Sequence, residues 1–93
     1  ARHDTYLSTT TDVAARPEFA SRKRVSTDPD QAGREDWWAV DFTLAEIRTL
    51  RARQLFDRRS RAFDGQFSIP TFEEVLALAA RSRTASGAPV CVY

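Results

Sequence analysis

The sequence predicts an α/β fold, and three observations indicate it. A capped helix that begins after Thr71 is followed by a turn at Gly87 and by a continuous apolar run over residues 90–93. Such a run is typical of a strand that is covered on both faces, as in parallel sheets. A second capped helix begins after Thr43. Because no other full strand of that kind is present, we expect the chain to be an internal piece of a larger α/β domain.

The composition limits the class of protein. With 93 residues, 42% hydrophobic and 29% charged, the chain suits at most one small globular domain. No apolar run approaches the roughly 20 residues that cross a bilayer, so we expect no transmembrane segment. A formal net charge of +1 gives no reason to expect nucleic acid as a partner. The single cysteine, Cys91, cannot form an intrachain disulfide, and the sequence shows no signal peptide and no methionine.

The first third of the chain has few regular elements. Ala1 and Arg2 are expected to end a strand, with His3 at the start of the loop after it. A short helical turn is possible around residues 18–21. Residues 26–36 are rich in Ser, Thr, Asp, Pro and Gly, a composition that predicts a solvated loop.

The middle of the chain changes character at Trp37. Trp38, Val40 and Phe42 alternate with smaller or polar residues, which predicts a short half-buried strand or an extended segment over residues 37–42. Thr43 and Glu46 have the spacing of a capping box, which predicts a helix that fades near Arg53. Phe42 and Ile47 occupy the positions of a hydrophobic staple.

The last third contains a loop and the second capped helix. Residues 54–68 are predicted to be irregular, with a turn at residues 64–65 and three aromatic anchors, Phe56, Phe63 and Phe67. Thr71 and Glu74 form a second capping box, and the helix is expected to run to residues 86–87. Its apolar stripe, which predicts core packing, comprises Phe72, Val75, Leu76 and Ala79. Cys91 is expected to be a buried small hydrophobic residue.

His3 is the candidate catalytic residue. It is the only histidine of the chain, and it stands beside Asp4 and ahead of a threonine cluster at residues 9–11. An unperturbed pKa of about 6.5 lets a histidine both donate and accept a proton near neutral pH. Taken without its neighbours, His3 is better interpreted as a loop histidine with no role.

The longer pattern is more specific than the His-Asp pair. The stretches that carry it are residues 3–4, 6–7, 11–14, 38–47 and 70–74. In this order they resemble the second catalytic-histidine segment of the glycerophosphodiester phosphodiesterase family, together with the region C-terminal to it, in the periplasmic or secreted branch of that family. The match extends in order from His3 to Tyr93.

The resemblance implies a fragment of a (β/α)8 TIM barrel. Residues 1–4 would be the end of one barrel strand with the catalytic loop, residues 5–68 an insertion subdomain in the β-to-α connection, and residues 69–93 a barrel helix with the next strand. A long insertion at the mouth of a barrel usually serves as a lid or a specificity element. The remainder of the barrel would be the partner of this piece.

The resemblance also implies the chemistry. The family hydrolyses glycerophosphodiesters to glycerol 3-phosphate and an alcohol, with two histidines and a Ca²⁺ or Mg²⁺ ion bound by carboxylates. His3 would be a general acid/base, and Asp4 would be structural. The metal ligands would lie outside this chain, so the chain alone is expected to be inactive, and no substrate-binding residue is identified. The location implied is periplasmic or secreted.

Three alternatives stay open on the sequence alone. Trp37 and Trp38 line an alcohol pocket or, as we favour, anchor the insertion on the barrel. A basic group is expected to be a solvated surface rather than a phosphate-binding or nucleic-acid-binding face, and it comprises Arg48, Arg51, Arg53, Arg58, Arg59 and Arg61. The chain as a whole could instead be a related barrel phospholipase, or a small stand-alone interaction domain that binds an anionic partner through arginine and aromatic residues.

Overall fold

The computed structural model describes residues 4–92, a small mixture of helices and short strands. Two α-helices, α1 (Leu44–Thr49) and α2 (Phe72–Ala80), accompany one antiparallel pair of strands, β1 (Arg24–Val25) and β2 (Glu35–Asp36). In this pair Arg24 lies opposite Asp36 and Val25 opposite Glu35. Four 3₁₀ helices complete the regular structure: Val13–Ala15, Pro17–Arg22, Pro29–Gln31 and Ala39–Asp41. Both helices and strands are therefore present, as predicted, but the strands form only a two-stranded antiparallel sheet.

The core is built from five buried side chains that are distant in the sequence. They are Leu7, Val13, Phe19, Trp37 and Leu50. Ala39, Phe42 and Ile69 pack against this cluster and are partly buried. Burial of one such side chain stabilises a fold by about 1.5–3 kcal/mol, so this cluster is the main source of tertiary stability.

Both predicted helix starts are confirmed. Thr43 Oγ1 accepts a hydrogen bond from the Glu46 amide at 3.2 Å, and Thr71 Oγ1 accepts one from the Glu74 amide at 3.1 Å. Each glutamate returns to the backbone of its threonine, so both capping boxes are complete. Helix α1 is shorter than expected, because Leu50 has an extended backbone (ψ 156°).

The expected extended segment over residues 37–42 is interrupted: Trp38 has an extended backbone (φ −99°, ψ 130°) and bridges with Tyr6, but the segment does not continue as a strand. Trp37 and Trp38 are consecutive and both buried, and a 3₁₀ helix, Ala39–Asp41, follows them. Val40 is 84% exposed, although its place in the alternation predicted burial. A 3₁₀ turn rotates each residue by about a third of a turn, so a period of two cannot persist through it.

The two predicted loops differ in outcome. Residues 26–36 are not one open loop, because they contain a 3₁₀ helix, end in β2 and include the buried Asp36. The turn at residues 64–65 is confirmed, with Gly65 at φ 79°, a conformation that favours glycine. The expected anchors Phe56, Phe63 and Phe67 are exposed, which corrects that prediction.

The last segment lacks the burial that its sequence predicts. Helix α2 ends at Ala80 rather than near residue 86, and Phe72 on its apolar stripe is 57% exposed. Residues 90–92 form no strand and are exposed, as is Cys91, so its predicted burial is wrong here. The reason is that no other part of residues 4–92 covers this segment. The Cα radius of gyration, 15.7 Å, accordingly exceeds the roughly 12 Å expected for a compact chain of this length.

Some predictions fall outside the described residues. The strand end at residues 1–2, His3 and Tyr93 are among them. Within residues 4–92, no helix is both long enough and apolar enough to cross a membrane.

Candidate functional site

The segment just after His3 and Asp4 in the sequence is fixed against the tryptophan pair. The Leu7 amide donates to the Trp37 carbonyl oxygen at 2.9 Å, and the Ala39 amide donates to the Thr5 carbonyl oxygen at 2.8 Å. Between them, Tyr6 and Trp38 form an antiparallel bridge. Residues 5–7 and 37–39 therefore pair like two short strands, although neither stretch continues as a strand. His3 itself lies outside the described residues.

Asp36 holds the next part of the same segment. Its side chain, in a residue that is 2% exposed, accepts hydrogen bonds from Ser8 Oγ at 2.6 Å and from the Trp37 amide at 2.7 Å. The Ser8 amide also donates to it, at 3.3 Å. Arg34 closes the arrangement with Nη2 at 2.9 Å from Asp36 Oδ2. A single buried carboxylate thus ties Ser8, β2 and the tryptophan pair together.

These contacts decide the ionisation of Asp36. Burial is the largest influence and raises the pKa, because it disfavours the charged carboxylate. The hydrogen bonds from Ser8, Trp37 and Arg34 together outweigh burial, so the pKa of Asp36 lies below its usual range. The carboxylate is therefore charged at neutral pH and remains an acceptor for all of its donors.

The Arg34 side chain that pairs with this carboxylate also contacts a pair of aromatic rings. The Arg34 guanidinium carbon is 3.7 Å from the centroid of the Tyr6 ring, and the Tyr6 ring meets that of Trp38 edge to face at a centroid distance of 6.1 Å. Trp38 Nε1 donates to the Arg24 carbonyl oxygen at 3.0 Å. The indole of Trp38 is thereby fixed on two sides.

A cleft of about 370 Å³ opens beside Trp38. Its lining includes three apolar residues, Trp38, Ala39 and Val40. The polar and charged residues of the lining are Thr5, Arg24, Ser26, Thr27 and Asp28. Thr5 stands two residues after His3 in the sequence, so this cleft adjoins the segment that carries the predicted catalytic residue.

One of the two charges in the cleft is already balanced. Arg24 makes a two-pronged ion pair with Asp41, with Nε to Oδ2 at 2.6 Å and Nη2 to Oδ1 at 3.1 Å. The hydrogen bond from Arg24 and its charge hold the pKa of Asp41 below its usual range. Asp28, in contrast, has no ion pair with any other residue between 4 and 92. One of its oxygens accepts the Asp30 amide at 3.0 Å.

The two tryptophans have different surroundings. Trp37 belongs to the core, where its Nε1 donates to the Phe19 carbonyl oxygen at 2.7 Å. Trp38 is also buried, but it lines the cleft. The core around Trp37 is formed within residues 5–68, so anchoring of this segment on a barrel stays a prediction.

Thr11, the last residue of the threonine cluster at residues 9–11, has a structural role. Thr11 is fully buried, and its hydroxyl donates to the Leu7 carbonyl oxygen at 2.7 Å. Asp12 comes next and joins this turn to the end of α1, because its Oδ1 accepts the Arg51 amide at 2.7 Å. The hydroxyls of Thr9 and Thr10 are buried without a hydrogen-bond partner in the described part of the chain.

Half of the arginines in the basic group on residues 48–61 make side-chain hydrogen bonds or ion pairs within the described part of the chain. Arg48 pairs with Glu74, and Arg61 pairs with Asp57 and Asp64. The Arg51 guanidinium donates to backbone carbonyl oxygens near the end of α1. These contacts support the prediction of a solvated, charge-balanced surface.

The described side chains do not form a metal site by themselves. Between residues 4 and 92, no three His, Cys, Asp or Glu side chains lie close enough together to hold an ion.

Comparison with known proteins finds sequence similarity to a curated enzyme. Over 77 residues, 83% of this chain, the sequence is 42% identical to the glycerophosphodiester phosphodiesterase GDPD6 of Arabidopsis thaliana. The resemblance to the glycerophosphodiester phosphodiesterase family is confirmed. The chain spans only 20% of the length of that relative. No protein-family model matches the chain, and no solved structure matches it significantly.

Sequence reasoning missed Asp36, Asp28 and the Arg24–Asp41 pair, all within or near the stretch predicted to be a loop. Two signals were available. Arg34 and Asp36 are two residues apart, and in an extended strand such residues share a face. Asp28 precedes Pro29, which is the arrangement of a capping aspartate before a helix that begins with proline, and the structure has this cap.

Proposed function

We propose that the protein containing this chain is a metal-dependent glycerophosphodiester phosphodiesterase with His3 as a general acid/base. The observation that carries the proposal is the 42% identity over 77 residues to an enzyme of that name. The reaction would convert a glycerophosphodiester and water into glycerol 3-phosphate and an alcohol. An imidazole at the reacting centre would protonate the departing alcohol oxygen, a contribution typically worth about 10²–10⁴ in rate.

The described residues that follow His3 and Asp4 in the sequence are held in place, which supports the proposal. Residues 5–8 are held by backbone hydrogen bonds to Trp37 and Ala39 and by the Asp36 carboxylate. Since Thr5 is two residues from His3, and two residues of backbone span at most about 7 Å, this attachment restrains the chain next to the histidine. Restraint of that kind would help to keep a proton donor within reach of a bound substrate.

The exposed apolar residues near the end of the chain support the proposal that it belongs to a larger domain. The apolar stripe of α2 contains no buried residue, with Phe72 and Leu76 exposed and the other two members partly buried, and the apolar residues 90–92 lie exposed beyond it. We propose that residues 69–93 pack in the complete protein as a helix and strand of a (β/α)8 barrel, with residues 5–68 as the insertion beside the active site. The divalent cation, Ca²⁺ or Mg²⁺, would be bound by carboxylates outside this chain, where it would neutralise phosphoryl charge.

The test uses the full-length protein with glycerophosphoglycerol as substrate and ³¹P NMR to identify the product. We expect His3→Ala to lower kcat by about 10²–10⁴ without a change in the circular dichroism spectrum. Glu35→Ala, which removes a charge from an exposed residue of β2, is the control and should leave kcat unchanged. Turnover of His3→Ala within a few-fold of the unmodified enzyme would show that the histidine has another role.

Metal dependence needs a separate measurement. Treatment with a chelator should abolish turnover, and addition of Ca²⁺ or Mg²⁺ should restore it. Full activity after exhaustive chelation would contradict the metal-dependent form of the proposal while leaving the His3 test intact.

A further inference from the structure

We propose that the protein binds the surface of an anionic phospholipid bilayer through the exposed aromatic and arginine side chains of residues 53–67. This segment is called the 53–67 loop below. Its phenylalanine rings would enter the boundary between headgroups and acyl chains, while its arginines contact lipid phosphates. The inference concerns attachment to a membrane surface, so it goes beyond the proposed reaction and does not rest on it.

The 53–67 loop is closed and is held by hydrogen bonds of its own. At its base the Ala52 amide donates to the Phe67 carbonyl oxygen at 2.7 Å. Inside it, Asp64 Oδ1 accepts a hydrogen bond from the Gln54 amide at 2.6 Å. A compact surface loop whose two ends lie together is an Ω-loop, a type that frequently carries function. The exposure of its aromatic side chains is therefore a property of a closed loop.

The large apolar side chains of this loop are exposed. Their exposed fractions lie between 39% and 64%, and they are Leu55, Phe56, Phe63 and Phe67. The Phe63 and Phe67 rings are in contact, with their centroids 6.0 Å apart. Within residues 4–92 nothing buries these side chains. Clustered apolar side chains that stay exposed usually mark a contact with a protein or a membrane.

The charge of the loop is positive and only partly compensated. Its charged residues are Arg53, Asp57, Arg58, Arg59, Arg61 and Asp64. Arg61 pairs with both aspartates. The other three arginines are exposed and form no ion pair among residues 4–92. A group of uncompensated cations is complementary to an anionic surface.

Arginines of this uncompensated group lie beside the exposed rings. The Arg59 guanidinium carbon is 4.8 Å from the centroid of the Phe56 ring. Arg53 lines the same cavity as Phe63 and Phe67. At about 180 Å³, this cavity is smaller than the roughly 300–1,000 Å³ of small-molecule sites. An apolar ring next to a free cation suits a bilayer surface instead, because the ring enters the apolar boundary while the cation stays at the level of the phosphates.

Vesicle binding by the full-length protein tests this inference. The probes are vesicles of phosphatidylcholine alone and vesicles of phosphatidylcholine and phosphatidylglycerol in equal parts, with bound protein separated by flotation. We expect the partition into the anionic vesicles to be at least about fivefold higher. This partition should fall as salt is added, because salt screens the arginine charges. Equal partition into the two kinds of vesicle, or partition into neither, would overturn the inference.

Two pairs of variants locate the contact. Phe63→Ser removes an exposed ring and should lower the partition into anionic vesicles about tenfold, whereas Leu44→Ser, at an exposed apolar residue of α1, should change it little. Arg53→Gln should lower it about fivefold, whereas Arg81→Gln, at an exposed arginine after α2, should not. Equal losses within either pair would show that general hydrophobicity or net charge, rather than this loop, decides binding.

Stability distinguishes a membrane contact from burial of the loop against the rest of the protein. Phe63→Ser should leave the urea midpoint of the full-length protein unchanged, because an exposed ring contributes little to folding. A midpoint for Phe63→Ser well below that of Leu44→Ser would show that the ring is packed in the complete protein and would overturn the inference. Binding to heparin without binding to anionic vesicles would indicate an acidic macromolecule as the partner and would overturn it as well.

Discussion

Removal of the Asp36 carboxylate should be among the most damaging single changes outside the apolar core. Its oxygens accept hydrogen bonds from the Ser8 hydroxyl, the Ser8 amide, the Trp37 amide and the Arg34 guanidinium. In Asp36→Ala these donors lose their acceptor, and those next to the core cannot all reach water. Loss of one partner of a buried charged pair typically costs about 3–5 kcal/mol. Because Arg34 is partly exposed, we expect the lower part of this range, about 3 kcal/mol.

The assay is urea denaturation followed by tryptophan fluorescence, which reports on the buried Trp37 and Trp38. Glu35→Ala is the matched control, since it removes the same charge one residue earlier from an exposed side chain. The control should change the free energy of unfolding by no more than about 0.5 kcal/mol. A double-mutant cycle with Ser8→Ala should give a coupling of about 1–2 kcal/mol. Similar losses of unfolding free energy in Asp36→Ala and Glu35→Ala would refute the role assigned to Asp36. Full additivity of Asp36→Ala and Ser8→Ala would also refute it.

Two further predictions concern acid stability and the core. Because the pKa of Asp36 is lowered in the folded state, its contribution to stability is complete above the unfolded-state pKa of about 3.9 and is lost as the pH falls through the folded-state value. Asp36→Asn should therefore lose less unfolding free energy than the unmodified protein between about pH 5 and about pH 2. Parallel curves of unfolding free energy against pH for these two proteins would contradict this. Leu50→Ala should cost about 2–5 kcal/mol, because Leu50 is fully buried, and Leu44→Ala, at a residue that is 63% exposed, should cost far less. Equal urea midpoints for the two leucine variants would contradict the assigned core.

The candidate site was only partly predictable. The family resemblance and the position of His3 came from residue order alone, and the comparison with a phosphodiesterase confirms the former. The partners of Asp36 could not be predicted from residue order, because Ser8 lies 28 positions away and nothing local in the sequence specifies that contact. The same holds for the cleft, whose lining joins Thr5, residues 24–28 and residues 38–40. The composition of residues 26–36 predicted a solvated loop, whereas long-range hydrogen bonds hold the buried carboxylate of Asp36 at its end.

Burial was the weakest part of the sequence-based prediction. The stripe on α2 and the aromatic residues of the 54–68 loop have the sequence pattern of core residues, yet within residues 4–92 they lie largely exposed. A hydrophobic pattern states which face of an element favours contact with apolar groups. It does not supply the surface that covers that face.

The sequence by itself determined the starts of both helices, the turn at Gly65 and the family resemblance. A capping box needs only a threonine and a glutamate three residues apart, so its hydrogen bonds form wherever that spacing occurs beside a helical segment. Tertiary structure alone decided that Asp36 is buried, that Trp37 belongs to the core and that Trp38 faces a cleft. Those outcomes depend on atoms brought together from distant parts of the chain, which neighbouring residues do not specify.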